Sequence, residues 1–243
     1  MHLSVIIPAY NEAERLPRTL DDIHRYFGSG ESPFALQEVV VVDDGSADGT
    51  AAVVEAWKDR IPLQVIRFET NRGKGAATRE GMLRASGEYH LLYDADGATP
   101  LEMLRPFGDA VRDHRPDVII GSRIHELDSD LVKMSFYRHL MGRTYHALCS
   151  SLVPGIRDAA CGFKLFTEAA SRELFAVQRV DRFAFDIEVL SLALGRGMRV
   201  TEIPVHWRAV PGSKVRLVQD TLQMTGSVLG LYVRRFFRGR VRD

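Results

Sequence analysis

Apolar runs of strand length alternate with segments of helical length through the first half of this chain, near residues 3–8, 38–43, 63–68, 88–94 and 117–121. Parallel strands need long crossovers and helices supply them, so the pattern predicts an α/β fold with a mostly parallel sheet and flanking helices. Three of the runs close in polar or acidic motifs: Pro8-Ala9-Tyr10-Asn11-Glu12, Asp43-Asp44-Gly45 and Asp94-Ala95-Asp96. Ligands of open α/β sheets bind outside the carboxyl ends of the strands, so the three motifs are expected to share one crevice. Thr99, Pro100 and Glu102 predict an N-cap, a first-turn proline and an acidic first turn for the helix that follows.

The alternation weakens after Ile124. Residues 131–153 place Leu, Met and Tyr at helical spacing, interrupted by Lys133, Arg138 and Arg143. A loop around 154–162, a short strand 163–166, a helix 184–196, a strand 199–207 and a final helix 216–238 complete the reading. The chain divides into a main domain over 1–215, with halves 1–125 and 126–215, and a basic amphipathic segment 216–243. The formal net charge is zero, which argues against a general nucleic-acid binder, yet residues 214–243 hold seven Lys/Arg against two Asp. The apolar stripe there fits core packing, and the arginines 234, 235, 238, 240 and 242 fit a membrane surface equally well. Cys149 and Cys161 have neither metal-ligand nor disulfide-framework spacing, so a reducing cytoplasmic setting is expected. No signal peptide is expected, and no run reaches the ~18 apolar residues of a membrane span. Membrane contact would then be peripheral.

Two carboxylates one residue apart at a strand end, Asp94 and Asp96, suit a hard divalent cation that also holds substrate phosphates. They equally suit a helix cap or a solvated turn. Asp43 and Asp44 could accept from a base imide or ribose hydroxyls, or simply form a turn with Gly45, which would let the backbone approach a nucleotide. Asn71-Arg72-Gly73-Lys74-Gly75 opens a helix and could hold a phosphate, although it matches no standard phosphate-loop pattern. Further candidates are Arg123, Arg157-Asp158, Lys164, Asp186, Glu188, Arg208 and Lys214, with His206 read as a packed strand histidine.

Together, Ser4-Val-Ile-Ile-Pro-Ala-Tyr-Asn-Glu12, Asp43-Asp-Gly-Ser-Ala-Asp-Gly-Thr50 and Asp94-Ala-Asp96 resemble glycosyltransferase family 2, with its GT-A fold. Asn71–Gly75, Gly121-Ser-Arg123, Ile156–Phe166, Phe183–Val189 and Gly212-Ser-Lys214 are similar to the branch of dolichyl-phosphate β-glucosyltransferases and polyprenyl-phosphate relatives. The resemblance implies that Pro8, Ala9, Tyr10, Glu12 and Asp43 bind the nucleoside, with Lys74, Asp94, Ala95 and Asp96 completing the nucleotide-sugar site. It implies Mg²⁺ or Mn²⁺ on Asp94 and Asp96, chiefly Asp96, in a nucleotide half at 1–125. Arg123, together with Arg157, Lys164, Arg208 and Lys214 from the half at 126–215, would hold the acceptor or phosphates. Gly97-Ala98 stands where the mannosyl branch carries Leu-Gln, which favours UDP-glucose over GDP-mannose.

The implied reaction is an inverting single displacement by a polyprenyl or dolichyl phosphate oxygen, at the cytoplasmic face of a membrane. A phosphate monoester, with a second pKa around ~6, needs no general base. A hydroxyl acceptor would need one, and Asp186 and Glu188 are then the candidates.

Overall fold

The computed structural model describes residues 1–123, 150–208, 210 and 223–233. Among the described residues, seven strands form one sheet: β1 (His2–Ala9), β2 (Ala35–Asp43), β3 (Leu63–Arg67), β4 (Tyr89–Tyr93), β5 (Val118–Ser122), β6 (Phe163–Thr167) and β7 (Val200–Pro204). The helices are α1 (Leu16–Gly28), α2 (Thr50–Glu55), α3 (Lys74–Arg84), α4 (Leu104–His114), α5 (Glu168–Phe175) and α6 (Phe185–Gly195), and residues 223–233 are also helical. The expected mostly parallel α/β sheet is present.

The sequence explains why both faces are covered. From Leu3 to Ala9 every residue of β1 is buried, as a continuous apolar run in a parallel strand requires. Alternate residues serve opposite cores. Ile6, Val40, Val42, Leu92 and Ile120 pack with α3, α5, α6 and Val228 and Leu231 of the last helix. Val5, Ile7, Val41, Leu91 and Ile119 pack under α1 and α4. On α1 the buried positions are Leu16, Thr19, Leu20, Ile23 and Tyr26, the three-four spacing of a helix with one buried stripe.

The strand order is β3-β2-β1-β4-β6-β5-β7. Every neighbouring pair is parallel except those that β6 makes with β4 and β5. Because β6 runs the other way, its beginning, not its end, lies at the carboxyl edge: Phe163 pairs with Tyr93. The order reverses between β1 and β4, and at such switch points the loops part to leave a crevice.

The expected cap at Thr99 is replaced by different chemistry. A 3₁₀ turn, Leu101–Met103, follows an extended Pro100, and no side chain caps it. The buried Tyr93 hydroxyl needs an acceptor and donates to the Thr99 carbonyl at 2.9 Å, which draws this segment into the core. Strand β7 stops at Pro204, short of the expected 207. Residues 124–149, 211–222 and 234–243, which include most of the expected 131–153 helix and the arginine-rich end, lie outside the described residues. Among the described residues, no helix is long and apolar enough to cross a membrane.

His90, on β4, is fully buried. The Gly87 carbonyl can only accept, so Nε2 carries the proton at 3.1 Å, and Nδ1 accepts from the Ser171 hydroxyl at 2.8 Å. Burial pushes its pKa down to about 4. The unfolded chain therefore protonates first, so the contribution is complete above pH ~6.5 and is lost as pH falls towards the folded value. Urea unfolding between pH 7 and pH 4 should show about 3 kcal/mol of stability lost through this residue by pH 4. His90→Gln should flatten that part of the slope; an unchanged slope would assign the loss to other groups.

Candidate active site

The loop after β1 is held by the loop after β2. Asn11, in the left-handed region at φ 54°, donates its amide to Ser46 Oγ at 2.9 Å and accepts from the Ala47 amide at 3.0 Å. The Glu12 amide donates to Thr50 Oγ1 at 2.8 Å and the Ala13 amide to Asp48 Oδ2 at 3.1 Å. Most polar side chains of the 43–50 motif are thus spent on positioning the 11–13 segment. Asp43 differs. Its Oδ1 accepts from the Ser46 amide at 2.9 Å, whereas the buried Oδ2 has no hydrogen-bond partner among the described residues, the Arg67 Nε lying 3.5 Å away.

Asp44 faces the next loop and accepts from Asn71 Nδ2 at 2.8 Å, the Arg72 amide at 2.6 Å and the Gly73 amide at 2.8 Å. Burial pushes its carboxyl up, and the two amides pull against that. Gly45 sits in the bend after β2. With φ at +72°, a Cβ there would fall 2.6 Å from the Thr70 carbonyl carbon, so Gly45 is required by the protein's own backbone.

Lys74, the first residue of α3, reaches Asp94 with 2.6 Å between Nζ and Oδ1. Burial pushes the ammonium pKa down, but Asp94, Asp186 and Asp96 together raise it above its ordinary value. Asp94 itself lies over Gly162, where a Cβ would fall 1.9 Å from Oδ2. Asp96 accepts from the Ala98 amide at 3.1 Å. Burial and Asp94 push its carboxyl up, opposed by that amide, Arg15 and Lys74. Arg15 forks onto Glu12 and stands 3.9 Å from Asp96 Oδ2. Behind this layer, Lys164, only 1% exposed, bonds Asp186 and the Cys161 carbonyl.

At the end of β5, Arg123 holds Asp158 through Nε and a terminal nitrogen, each at 2.8 Å, and through its amide at 2.9 Å. Its guanidinium also lies 5.8 Å from the Trp207 ring centroid. Burial pushes the Asp158 carboxyl up, but Arg123 holds it below the usual range.

The remaining sequence candidates sort by position. Pro8 and Ala9 are buried at the end of β1, and Tyr10 beside them is 41% exposed. The Ala95 carbonyl accepts from Thr19 Oγ1 at 2.8 Å. The Arg208 amide donates to the Ala98 carbonyl at 2.9 Å, bringing the chain after β7 to the acidic pair. Arg157 is exposed, with its amide on Glu202. Glu188 is turned to a neighbouring loop and accepts the Arg179 and Val180 amides at 2.9 and 2.7 Å. Lys214 lies outside the described residues. Sequence reasoning missed Arg15 and the role of Gly162. The Glu12/Arg15 spacing and the glycine inside Cys161-Gly162-Phe163 were their only local signals.

Among the described residues, no group of three or more His, Cys, Asp or Glu side chains could hold a metal. Asp94 and Asp96 supply hard oxygen donors from two residues, and the absent Cβ at 162 leaves Asp94 room. That donor set fits Mg²⁺ or Mn²⁺, whose other positions are taken by water and substrate phosphate.

The family profile described as Glycosyl transferase family 2 matches residues 4–175. Human dolichyl-phosphate beta-glucosyltransferase is 37% identical over 243 residues, covering 96% of this chain and 75% of its own length. The protein of the same name from Dictyostelium discoideum is 36% identical, with the same coverage. Glucosyl-3-phosphoglycerate synthase from Mycobacterium tuberculosis, solved with UDP, superposes with a TM-score of 0.71 at 18% identity, over 94% of this chain and 79% of that one. The same enzyme has been solved with Mn²⁺, UDP-glucose and phosphoglyceric acid, again with a TM-score of 0.71, here at 17% identity and with the same coverage. At such identities the likeness is one of fold. With the profile spanning most of the sequence and relatives matching nearly all of it, the chain belongs to glycosyltransferase family 2.

Proposed function

We propose that the protein transfers glucose from UDP-glucose, with inversion, to dolichyl or polyprenyl phosphate, releasing UDP. One observation supports a phosphate over a hydroxyl acceptor: both candidate bases are already engaged. Asp186 is bonded to the buried Lys164, and Glu188 to two loop amides. A hydroxyl acceptor needs a carboxylate to take its proton, whereas a phosphate monoester is largely ionised near neutral pH and does not. The names borne by the relatives support the same acceptor.

On this reading Pro8, Ala9, Tyr10 and Glu12 border the nucleoside, and Asp43 Oδ2, which accepts no hydrogen bond among the described residues, receives one of its N–H or O–H groups. Mg²⁺ or Mn²⁺ held by Asp96, with Asp94 beside it, would supply charge stabilisation for the departing diphosphate. Lys74 meets the donor phosphates. Arg123, kept in place by Asp158, and Lys214 orient the acceptor phosphate. Its oxygen forms the new bond to the anomeric carbon as the carbon–oxygen bond to UDP breaks on the opposite face. The half at 1–125 thereby serves the donor, and the half at 126–215, joined by Arg123, serves the acceptor.

The segment from 216 on supports peripheral attachment at the cytoplasmic membrane face. Residues 223–233 contain no charged side chain. Val228 and Leu231 pack into the core, while Leu229 and Val233 are 53% and 55% exposed. Arginines follow directly in sequence at 234 and 235. Core packing and surface contact thus belong to different faces of one helix.

Purified protein with Mn²⁺ should make lipid-linked glucose from UDP-glucose and polyprenyl phosphate. Product from GDP-mannose alone would move the reading to the mannosyl branch; sugar transfer only to hydroxyl acceptors would overturn it. Asp96→Ala should lower turnover by roughly 10²-fold or more with the fold intact. Gly162→Ala, which drives a methyl onto Asp94, should act in the same direction. Replacing Leu229 and Val233 together by Asp should weaken vesicle co-sedimentation by more than about tenfold, since each apolar side chain contributes ~1.5–3 kcal/mol when buried. UDP binding should be unaffected. Unchanged sedimentation would remove this face from the membrane contact.

A further inference from the structure

The acidic pair already has counterions inside the protein. Lys74 is bonded to Asp94 at 2.6 Å, and Arg15 stands 3.9 Å from Asp96. Two carboxylates thus face two fixed-origin cations. Arg15 is committed mainly to Glu12. Lys74 differs, because its ammonium is bonded to Asp94 itself while its stem leaves a helix start held by its neighbours: the Gly73 amide donates to Asp44 and the Ala76 amide to the Asp181 carbonyl. Its four-carbon stem carries a compact charge that can change partner without moving α3. The other carboxylate within its field, Asp186, has its own cation in Lys164.

We propose that Lys74 is an exchangeable counterion that makes divalent-cation binding depend on the nucleotide. This rests on the metal-dependent UDP-sugar reading above and adds an order of binding to it. In the nucleotide-free protein the Lys74 ammonium competes with a divalent cation for Asp94. A cation arriving alone meets a carboxylate that is already neutralised and an ammonium beside it. A nucleoside diphosphate offers Lys74 phosphate oxygens in exchange, which frees Asp94 as the phosphates bring their own ligands to the cation. Cation and nucleotide therefore bind with strong positive coupling, and by linkage each tightens the other by the same factor. Lys74 acts here as a positioning residue, through Asp94.

The test is Mn²⁺ binding to the full chain, read from the electron paramagnetic resonance signal of free Mn²⁺, with and without UDP. Wild-type protein should bind Mn²⁺ at least about tenfold more tightly when UDP is present. Lys74→Met should bind Mn²⁺ alone at least about tenfold more tightly than wild type, so that UDP strengthens its Mn²⁺ binding by a smaller factor than in wild type. Lys74→Arg, which keeps the charge, should resemble wild type. Should Lys74→Met not fold, as judged by circular dichroism, the wild-type titration still decides: a coupling below about fivefold overturns the proposal. So does a folded Lys74→Met no tighter for Mn²⁺ than wild type. If UDP recruits Mn²⁺ and only the variants disagree, the counterion role falls and the functional reading stands. If the wild type binds neither UDP nor Mn²⁺, both fall.

Discussion

A buried carboxylate, Asp44, sets the geometry on which the site depends. Burying a charged group is costly unless donors surround it, and Asp44 is met by a side-chain amide and two backbone amides. Those donors belong to residues 71–73, immediately ahead of α3. The bonds that satisfy Asp44 therefore also fix the point from which Lys74 extends. Gly73 and Gly75 belong to the same constraint: a Cβ on either would fall within 2.4 Å of a carbonyl oxygen, of Asp181 or Val180 respectively. The β2 edge, the start of α3 and the loop ahead of α6 are consequently one packed unit, and the acidic pair is built against it.

The reversed strand β6 does the corresponding work on the other side. Were it parallel, residues 158–162 would leave from the far edge of the sheet. Running antiparallel, it delivers Asp158, Cys161 and Gly162 to the edge where β4 and β5 end. Asp158 can then hold Arg123, and Gly162 can lie beneath Asp94. Residues from the two halves of the chain meet at one edge because one strand inverts.

Much of this was legible in the sequence. Continuous apolar runs identify strands buried on both faces, and polar motifs at their ends mark the ligand edge whatever the order of the strands. The direction of β6 was not legible, since periodicity carries no pairing information. Thr99 failed as a cap because the Tyr93 hydroxyl claims its carbonyl. Gly45 leaves room for the Thr70 backbone and Glu188 accepts two loop amides, tasks set by contacts that the local sequence does not display. Arg15 and Gly162 escaped notice for a common reason: each matters through a residue far away in sequence, Asp96 and Asp94, and only the closed sheet brings them together.

The helix at 223–233 shares its buried residues with the core that contains Ile6, Val42 and Phe185. Its outward face is therefore no tethered anchor but part of the same solid body as the strands. A body resting on a lipid surface by such a face would lie at one tilt and one height. The phosphate end of a long lipid would have to rise to the crevice, and the search for it would be confined to two dimensions.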